Sequence, residues 1–447
     1  MEIKMYLLIV FFLVSTILKA QHEMHSSQKD TAHHQMEDMN MNMGHRMDEM
    51  SHAFSLNLPM NRNGSGTGWL PDASPVYGHM YHSKEWMFML HYNLFVRYNN
   101  QDFANKGTRG NEMVDVPNWL MFMGQKKVKD NGLLHFNTMF SLDALFAKGG
   151  YPLLFQSGEV YKGKPLVDKQ HPHDLFSELS VSYSHAFSKQ MDGFIYVAYP
   201  GEPALGPVAF MHRPSAMHNP DAPISHHWVD ATHITFGVAT LGFRLGNFKL
   251  EGSSFTGREP DAKRFDFDKP RFDSYSGRFS YNPTKNWALQ VSHGFLKSPE
   301  QLHPNEDVNR TTASVAYSLP LENNNSFDFI VLWGLNKTKD RKGEHAAMLE
   351  SSWTRNRWAF YGKYELVQKS SEELALDAAG FGNDRVFPVN AITLGLNYEL
   401  LAIGSTRMAG GGQFTFYQSD AQLNTLYGKN PMAFEIFLRF CPALMEM

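Results

Sequence analysis

The sequence of 447 residues contains one cysteine, Cys441, so an intramolecular disulfide cannot form. It also lacks a strong charge of either sign: the formal net charge is −4, and no basic patch of the kind that binds nucleic acid is present. Beyond residue 20 there is no run of about 18 apolar residues, the length that a membrane-spanning helix requires. These absences argue against a disulfide-stabilised scaffold, a nucleic-acid-binding protein and a helical membrane protein.

The first 20 residues are typical of a secretory signal peptide. Lys4 supplies the positive charge, the segment 6–18 is apolar, and Ala20 is a small residue suited to a cleavage site. The mature protein is therefore expected to be exported.

The segment 21–75 is predicted to be disordered, because residues 21–60 are of low complexity and rich in methionine and histidine. Thioether and imidazole groups are soft ligands suited to Cu(I), and imidazole with carboxylate also suits Cu(II). The candidate ligands in this tail are His22, His25, His33, His34, Met39, Met41, Met43 and His45. We interpret the tail as a flexible copper-capturing segment; the alternative is a solvated linker that is incidentally rich in methionine.

From residue 84 onward, apolar and polar residues alternate over segments of ten or more residues. In 84–98, Trp86 and Phe88 share one face of an extended strand, and Met89 and His91 share the other. Alternation over this length is typical of transmembrane barrel strands, whereas soluble sandwiches use shorter strands. The predicted fold class is all-β: an outer-membrane β-barrel of about 16 antiparallel strands (range about 12–18) over residues 76–447.

The connections between the predicted strands alternate between short turns, such as 127–131, and long loops. The long loops include 146–173, 200–230 and 259–271. Outer-membrane barrels have short periplasmic turns and long extracellular loops, and an even number of strands leaves both termini in the periplasm. The last predicted strand ends on Phe440, which resembles the terminal signal by which outer-membrane proteins are recognised for insertion.

The stretch from His171 to His233 holds eight of the 21 histidines. On the predicted strand map it covers two neighbouring long loops, and a third loop over 257–277 adds Glu259. Imidazoles and carboxylates gathered on loops suit a metal site or a proton-transfer site. The candidate metal ligands here are His171, His173, Asp174, His212, His218, His226, His227, Asp230 and His233.

Three interpretations of these loops stay open. In the first, the loops fold inward and plug the barrel, and their polar side chains satisfy one another. In the second, the His-x-His-Asp and His-His-x-x-Asp spacings bring two imidazoles and a carboxylate to one metal ion. In the third, the loops form a surface hydrolase, although no Gly-x-Ser-x-Gly elbow is present. The serines that such a hydrolase could use are Ser215, Ser225, Ser274 and Ser276.

Three runs resemble an uncharacterised family of bacterial exported proteins that are often encoded among copper and heavy-metal resistance functions. These runs are QSGEVYKGKPLVDKQHPHDL, GEPALGPVAFMHRPSAMHNPDAPISHHWVDATHITFGV and LEGSSFTGREPDAKRFDFDKPRFDSYSGR. The resemblance is close over residues 150–320 and loose elsewhere. The Met/His-rich leader is similar to that of copper-resistance protein B, an outer-membrane copper protein. The resemblance implies copper but no catalytic residues.

The predicted function is an outer-membrane barrel that binds or handles copper in metal resistance, with zinc or another divalent metal as the alternative ion. The expected partners are outer-membrane lipid, metal ions and the barrel-assembly machinery, and no enzymatic activity is expected. The second function is a porin-like channel with a structural plug, and the third is the surface hydrolase. Because imidazole must be neutral to bind a metal, binding should weaken below about pH 6.5.

Overall fold

The structure is a computed structural model, and it describes residues 50–104, 107–339, 341–381 and 385–445. The predicted signal peptide and most of the predicted tail lie outside these residues. So do the tail's candidate ligands His22, His25, His33, His34, Met39, Met41, Met43 and His45. Their role in metal binding stays a prediction.

Strands make up most of the described chain. They are β1 (Ser51–His52), β2 (Ser55–Pro59), β3 (His79–Ser83), β4 (Trp86–Ala104), β5 (Glu112–Asp115), β6 (Asn118–Val128), β7 (Gly132–Phe140), β8 (Tyr151–Tyr161), β9 (Lys164–Gln170), β10 (Phe176–Ser188), β11 (Met191–Ala198), β12 (Val238–Leu245), β13 (Phe248–Phe255), β14 (Ser274–Tyr281), β15 (Trp287–Leu296), β16 (Val308–Leu321), β17 (Asn325–Thr338), β18 (Glu344–Arg355), β19 (Trp358–Ser370), β20 (Val386–Ile403), β21 (Thr406–Gln418) and β22 (Met432–Pro442). The helices are the short turns Met60–Arg62, Asp143–Phe146, Phe210–His212, His226–Val229, Ala231–His233, Ala378–Phe381, Ala421–Leu423 and Asn424–Tyr427. None of the helices in the described residues is long and apolar enough to cross a membrane.

The described residues form a closed antiparallel barrel of sixteen strands, so the predicted fold class is confirmed. β5 and β6 both pair with β4 and count as one strand, which Pro117 interrupts because proline has no N–H to donate. β22 pairs with the second half of β4 and closes the barrel. The short β3 pairs with the first half of β4, so β22 and β3 together also count as one strand.

Along the strands, apolar side chains are exposed and polar side chains are buried, which is the reverse of the pattern in a soluble protein. In β13, Leu250 is 64 % exposed on the outer face, whereas Lys249 and Glu251 are 2 % and 3 % exposed in the lumen. An apolar outer surface around a polar interior is stable only when lipid surrounds the barrel. Arg97 of β4 and Arg439 of β22 also face the lumen and are buried in the same way.

Aromatic side chains gather near both ends of the outer surface. At the end with short turns, Trp287 and Phe329 flank Tyr317 with ring centroids 4.5 and 5.3 Å away. At the end with long loops, the rings of Tyr275 and Phe295 stack at 5.3 Å. Such belts are found where a barrel crosses the two membrane–water interfaces.

Three segments pack inside the barrel, and we call them the plug: residues 50–76, 141–175 and 199–237. Nearly every residue of the third segment is buried, and its helix His226–Val229 packs against β16, β17 and β18. The loops thus fold inward, as the first interpretation of the sequence predicted.

Buried ion pairs join the plug to the barrel wall. Arg213 of the plug lies 3.2 Å from Glu350 of β18, and Asp221 lies 2.5 Å from Arg97 of β4. These pairs satisfy charged groups that would otherwise be buried without a partner.

The structure corrects two boundaries that the sequence predicted. Residues 50–75, predicted to be disordered, are folded in the lumen, where Phe54 contacts Phe194 at 4.7 Å between ring centroids. The alternation of apolar and polar residues over 231–245 predicts a strand there, but β12 begins only at Val238 because residues 231–237 belong to the plug. In addition, the predicted loop 146–173 contains the hairpin β8–β9.

Candidate metal centre

Five buried histidines meet inside the barrel, and we call them the histidine cluster: His171, His173, His226, His227 and His233. The ring centroid of His226 lies 5.2 Å from that of His227 and 5.0 Å from that of His233. His171 is 5.7 Å from His227, and His173 is 5.5 Å from His233. Two plug segments that are distant in sequence therefore contribute imidazoles to one place.

Each of four rings in the cluster has one nitrogen fixed by an oxygen and the other left unpartnered. His226 Nδ1 is 2.7 Å from a carboxylate oxygen of Asp230, which the single helical turn from His226 to Val229 brings back to it. His173 Nδ1 lies 2.6 Å from Asp143 and His227 Nδ1 lies 3.4 Å from Glu259.

The fourth ring, His233, has its Nδ1 2.8 Å from the backbone oxygen of Asp230. The Nε2 atoms of these four histidines are buried and have no hydrogen-bond partner in the described residues. An Nδ1–H that donates to oxygen fixes the neutral tautomer in which Nε2 carries a lone pair, as in most metal-binding histidines. The four rings are thus oriented as ligands.

The tightest group consists of His171, His226 and His227, whose ligand atoms all lie within 4.8 Å of one another. The backbone of β8 approaches this group closely at Gly158, where a Cβ atom would lie 2.2 Å from the ring of His227. The φ angle of Gly158 is +114°, a conformation that favours glycine. Three converging imidazoles are a donor set suited to zinc or copper.

Burial keeps several of these imidazoles neutral. It lowers the pKa of His171 and of His233 well below 6.5. Burial also lowers the pKa of His226, although the Asp230 carboxylate opposes that shift. Burial alone would raise the pKa of Asp230, but His226 and Arg213 lower it to about 2. The lone pairs therefore remain available at a pH at which exposed histidines are protonated.

The two predicted carboxylate ligands have other partners. Asp174 accepts a hydrogen bond of 3.1 Å from Arg264, which also pairs with Glu159. Asp230 accepts from Arg213 at 3.1 Å besides orienting His226. Their geometry is better suited to holding the residues around the cluster in place than to direct contact with a metal ion.

Two predicted ligands lie outside the cluster. His212 packs against Trp119 and His91, with ring centroids 4.8 and 6.3 Å away. His218 Nδ1 lies 2.7 Å from Arg439 of β22. The spacing of histidines along the loop could not separate these two from the cluster, because the fold of the loop decides the distances.

Sequence reasoning missed two carboxylates that belong to the site. Glu159 lies in β8, 3.3 Å from His171 Nδ1, and Asp143 orients His173. Glu159 follows Gly158 in the hairpin β8–β9, which lies within a predicted loop, and Asp143 begins the helical turn Asp143–Phe146. In Glu159, burial raises the pKa to about 8, although Arg264 opposes that shift.

An acidic pocket at the long-loop end of the barrel adjoins the cluster. Its carboxylates include Glu159, Glu300, Glu306, Glu372 and Glu373. Burial and the surrounding carboxylates raise the pKa of Glu300 well above its usual value. Several of these carboxylates have a cationic partner, since Glu306 and Glu372 pair with Arg341 and Glu159 pairs with Arg264. Glu159 is shared between this pocket and the histidine cluster.

The serines considered for a hydrolase do not form a catalytic arrangement in the described residues. The hydroxyls of Ser215 and Ser225 donate to Glu350 and Glu365, and that of Ser274 donates to Asp273. The hydroxyl of Ser276 has no hydrogen-bond partner in the described residues. None of the four hydroxyls is therefore bonded to a histidine that could act as its base.

Comparison with solved structures identifies the architecture. The OmpF protein of Salmonella typhi, in complex with daunomycin, matches 81 % of this chain and 100 % of its own with a TM-score of 0.50 at 8 % identity. The chain has the fold of an outer-membrane β-barrel. This barrel is also similar to an anion-selective porin from Comamonas acidovorans, which is 12 % identical with a TM-score of 0.45 over 80 % of this chain and 99 % of the porin.

The outer-membrane protein OmpT of Vibrio cholerae is 7 % identical to this barrel, with a TM-score of 0.45 over 81 % of this chain and 100 % of OmpT. No protein-family profile and no curated protein sequence matches this barrel. At such low identity the solved structures bear on the fold alone.

Proposed function

We propose that this outer-membrane barrel binds copper, with zinc as the alternative ion, at the histidine cluster in its lumen as part of metal handling or resistance. The observation that carries the proposal is the set of buried imidazoles whose Nδ1 atoms are fixed while their Nε2 atoms have no partner. An unpartnered buried polar atom costs about 1–3 kcal/mol, and a bound metal ion would remove that cost at each Nε2 atom that it binds.

The surroundings of the cluster also support a cation. Within the cluster, Asp230 and Glu259 would balance the charge of the bound ion. The resemblance to proteins encoded among copper-resistance functions favours copper over zinc.

Metal titration of the purified full-length protein in detergent tests the proposal. We expect the variant His226→Gln/His227→Gln to bind one Cu(II) or Zn(II) equivalent fewer than the unmodified protein. The matched control is His293→Gln/His345→Gln, because both histidines lie outside the plug on strands β15 and β18. An unchanged stoichiometry in the first, folded variant would contradict the proposal.

The second candidate is a porin-like channel in which the plug is structural, and the barrel architecture favours it. A planar-bilayer recording separates the two functions, because a conducting barrel shows discrete current steps. We expect the intact barrel to be silent, since the ion pairs of Arg213 and Arg97 hold the plug in the lumen. Steady current steps that are unaffected by copper would favour the channel.

A further inference from the structure

A second group of soft donors fills another part of the lumen. Six methionines line a single cavity: Met60, Met89, Met121, Met123, Met211 and Met217. Two imidazoles, those of His91 and His212, line the same cavity. We call this the methionine cavity.

The register of the barrel aligns several of these donors. His91 of β4 lies opposite Met121 of β6, which in turn lies opposite Met139 of β7. One row further, Met89 lies opposite Met123. Directly opposed residues of antiparallel strands have Cβ atoms about 4.5–5.5 Å apart and point to the same face. The barrel wall thus presents a patch of thioethers and one imidazole to the lumen.

Ordinary core packing does not account for this concentration. The apolar cluster that includes the cavity contains seven methionines among ten buried residues. The larger apolar cluster, around Trp228, has Met348 as its one methionine among 21 buried residues. Since both fill the same lumen, a general preference for a flexible side chain would enrich methionine in both.

The two imidazoles of the cavity are also without hydrogen-bond partners in the described residues. His91 and His212 instead pack edge-on and tilted against Trp119, with ring centroids 4.6 and 4.8 Å away. Their nitrogens therefore remain available among the thioether sulfurs. Sulfur and imidazole together select a soft ion such as Cu(I) over the harder divalent ions.

We propose that the methionine cavity is a binding site for a soft monovalent metal ion, Cu(I) or Ag(I), held by thioethers of β4, β6 and the plug together with His91 or His212. This inference extends the proposed function, which concerns divalent ions at the histidine cluster. Phe210 adjoins both sites: its ring stacks on His173 at 6.3 Å, and it packs in the methionine-rich cluster. The two sites are therefore adjacent but have different donors.

Silver provides the direct probe, because Ag(I) prefers the same soft ligands as Cu(I). Unlike Cu(I), it is not oxidised to a divalent ion by air. Full-length protein in detergent is equilibrated with Ag(I), desalted and assayed for bound silver. We expect Met89→Leu/Met121→Leu/Met123→Leu to bind one Ag(I) equivalent fewer than the unmodified protein, because leucine preserves the volume of methionine but has no sulfur. The matched control Met348→Leu removes a buried methionine from the other apolar cluster and should bind as much silver as before.

The same variants separate this inference from the proposed function. The triple leucine variant should keep its Zn(II) equivalent, and His226→Gln/His227→Gln should keep the Ag(I) equivalent that the leucine variant loses. A folded triple variant with unchanged silver stoichiometry would overturn the inference whatever zinc does. If the triple variant does not fold, Met121→Leu and His212→Asn take its place. At least tenfold weaker Ag(I) binding in either single variant supports the site, and unchanged affinity in both rejects it.

Discussion

At the scale of single residues, the buried carboxyl of Glu202 in the plug is expected to make the stability of the protein depend on pH. Burial raises the pKa of this carboxyl to about 8, although Arg278 opposes that shift. Between pH 4.5 and 8 the folded protein therefore holds a proton that the unfolded chain releases, and stability falls as pH rises by about 1.4 kcal/mol for each unit. We expect Glu202→Gln to remove this slope from the pH dependence of the free energy of unfolding.

Urea unfolding of both proteins, followed by tryptophan fluorescence between pH 5 and 9, measures that slope. The glutamine variant should gain stability relative to the unmodified protein as pH increases. Parallel pH profiles for the two proteins would mean that Glu202 is ionised in the folded state.

Gly158 gives a second prediction for a single residue. A Cβ atom at this position would overlap the ring of His227, so Gly158→Ala should displace that imidazole. We expect at least tenfold weaker binding of Cu(II) or Zn(II) in a folded barrel. Gly163→Ala is the control, because Gly163 also has a positive φ of +75° in the same hairpin but no atom within 4 Å of the added Cβ. Equal loss of affinity in both variants would point to hairpin strain instead.

At the scale of elements, the barrel strands could be predicted because the lipid and the lumen impose a period of two on each of them. The elements of the plug could not be predicted in this way, because no such period is imposed on them. The segment 231–237 alternates like a strand, yet its residues are buried on all sides among the plug. Residues 50–75 look too polar and too rich in turn residues to fold alone, but the barrel supplies the rest of their core. The apolar side chains of this segment that are buried are Met50, Ala53, Phe54, Leu58, Met60, Trp69 and Leu70.

The candidate site was predictable only in part for the same reason. The sequence identified the loops and most of the imidazoles, since histidines and prolines stand out in composition. It could not reveal that His91 would face Met121, because that pairing depends on strand register between separate strands. Contacts within one plug segment, such as that between His171 and Glu159, depend on the hairpin β8–β9, which lies in a predicted loop.

The third plug segment is anchored by Arg213, whose partners are Asp230 and Glu350. Removal of the guanidinium alone leaves two buried carboxylates without their cation, which typically costs about 3–5 kcal/mol. We therefore expect Arg213→Met to loosen the plug and to produce flickering current in a planar bilayer. Arg213→Met/Glu350→Gln should recover part of the lost stability, because one of the stranded charges is gone. Silent recordings from the single variant would show that other contacts hold the plug.

At the scale of the whole molecule, the folded unit begins at Met50, not at the predicted boundary of residue 75. Met50 and Met60 are buried among the barrel's methionines, and Ser55 donates a hydrogen bond of 2.7 Å to Asp192 of β11. Removing these residues would leave an unfilled lumen and would take one hydrogen-bond donor away from Asp192, whose remaining partner on the wall is Arg244. Deletion of 21–48 should therefore preserve the barrel, whereas deletion of 21–75 should destabilise it.

Heat-modifiable migration in gel electrophoresis distinguishes the two deletions, because folded outer-membrane barrels resist detergent until they are heated. We expect a folded band for the shorter deletion and its loss, or a lowered melting temperature, for the longer one. The shorter deletion also isolates the lumen from the tail: if it still binds Zn(II) and Ag(I), both ions have sites within the barrel. If it folds but binds neither ion, all metal capture belongs to the tail, and both lumen sites are rejected together.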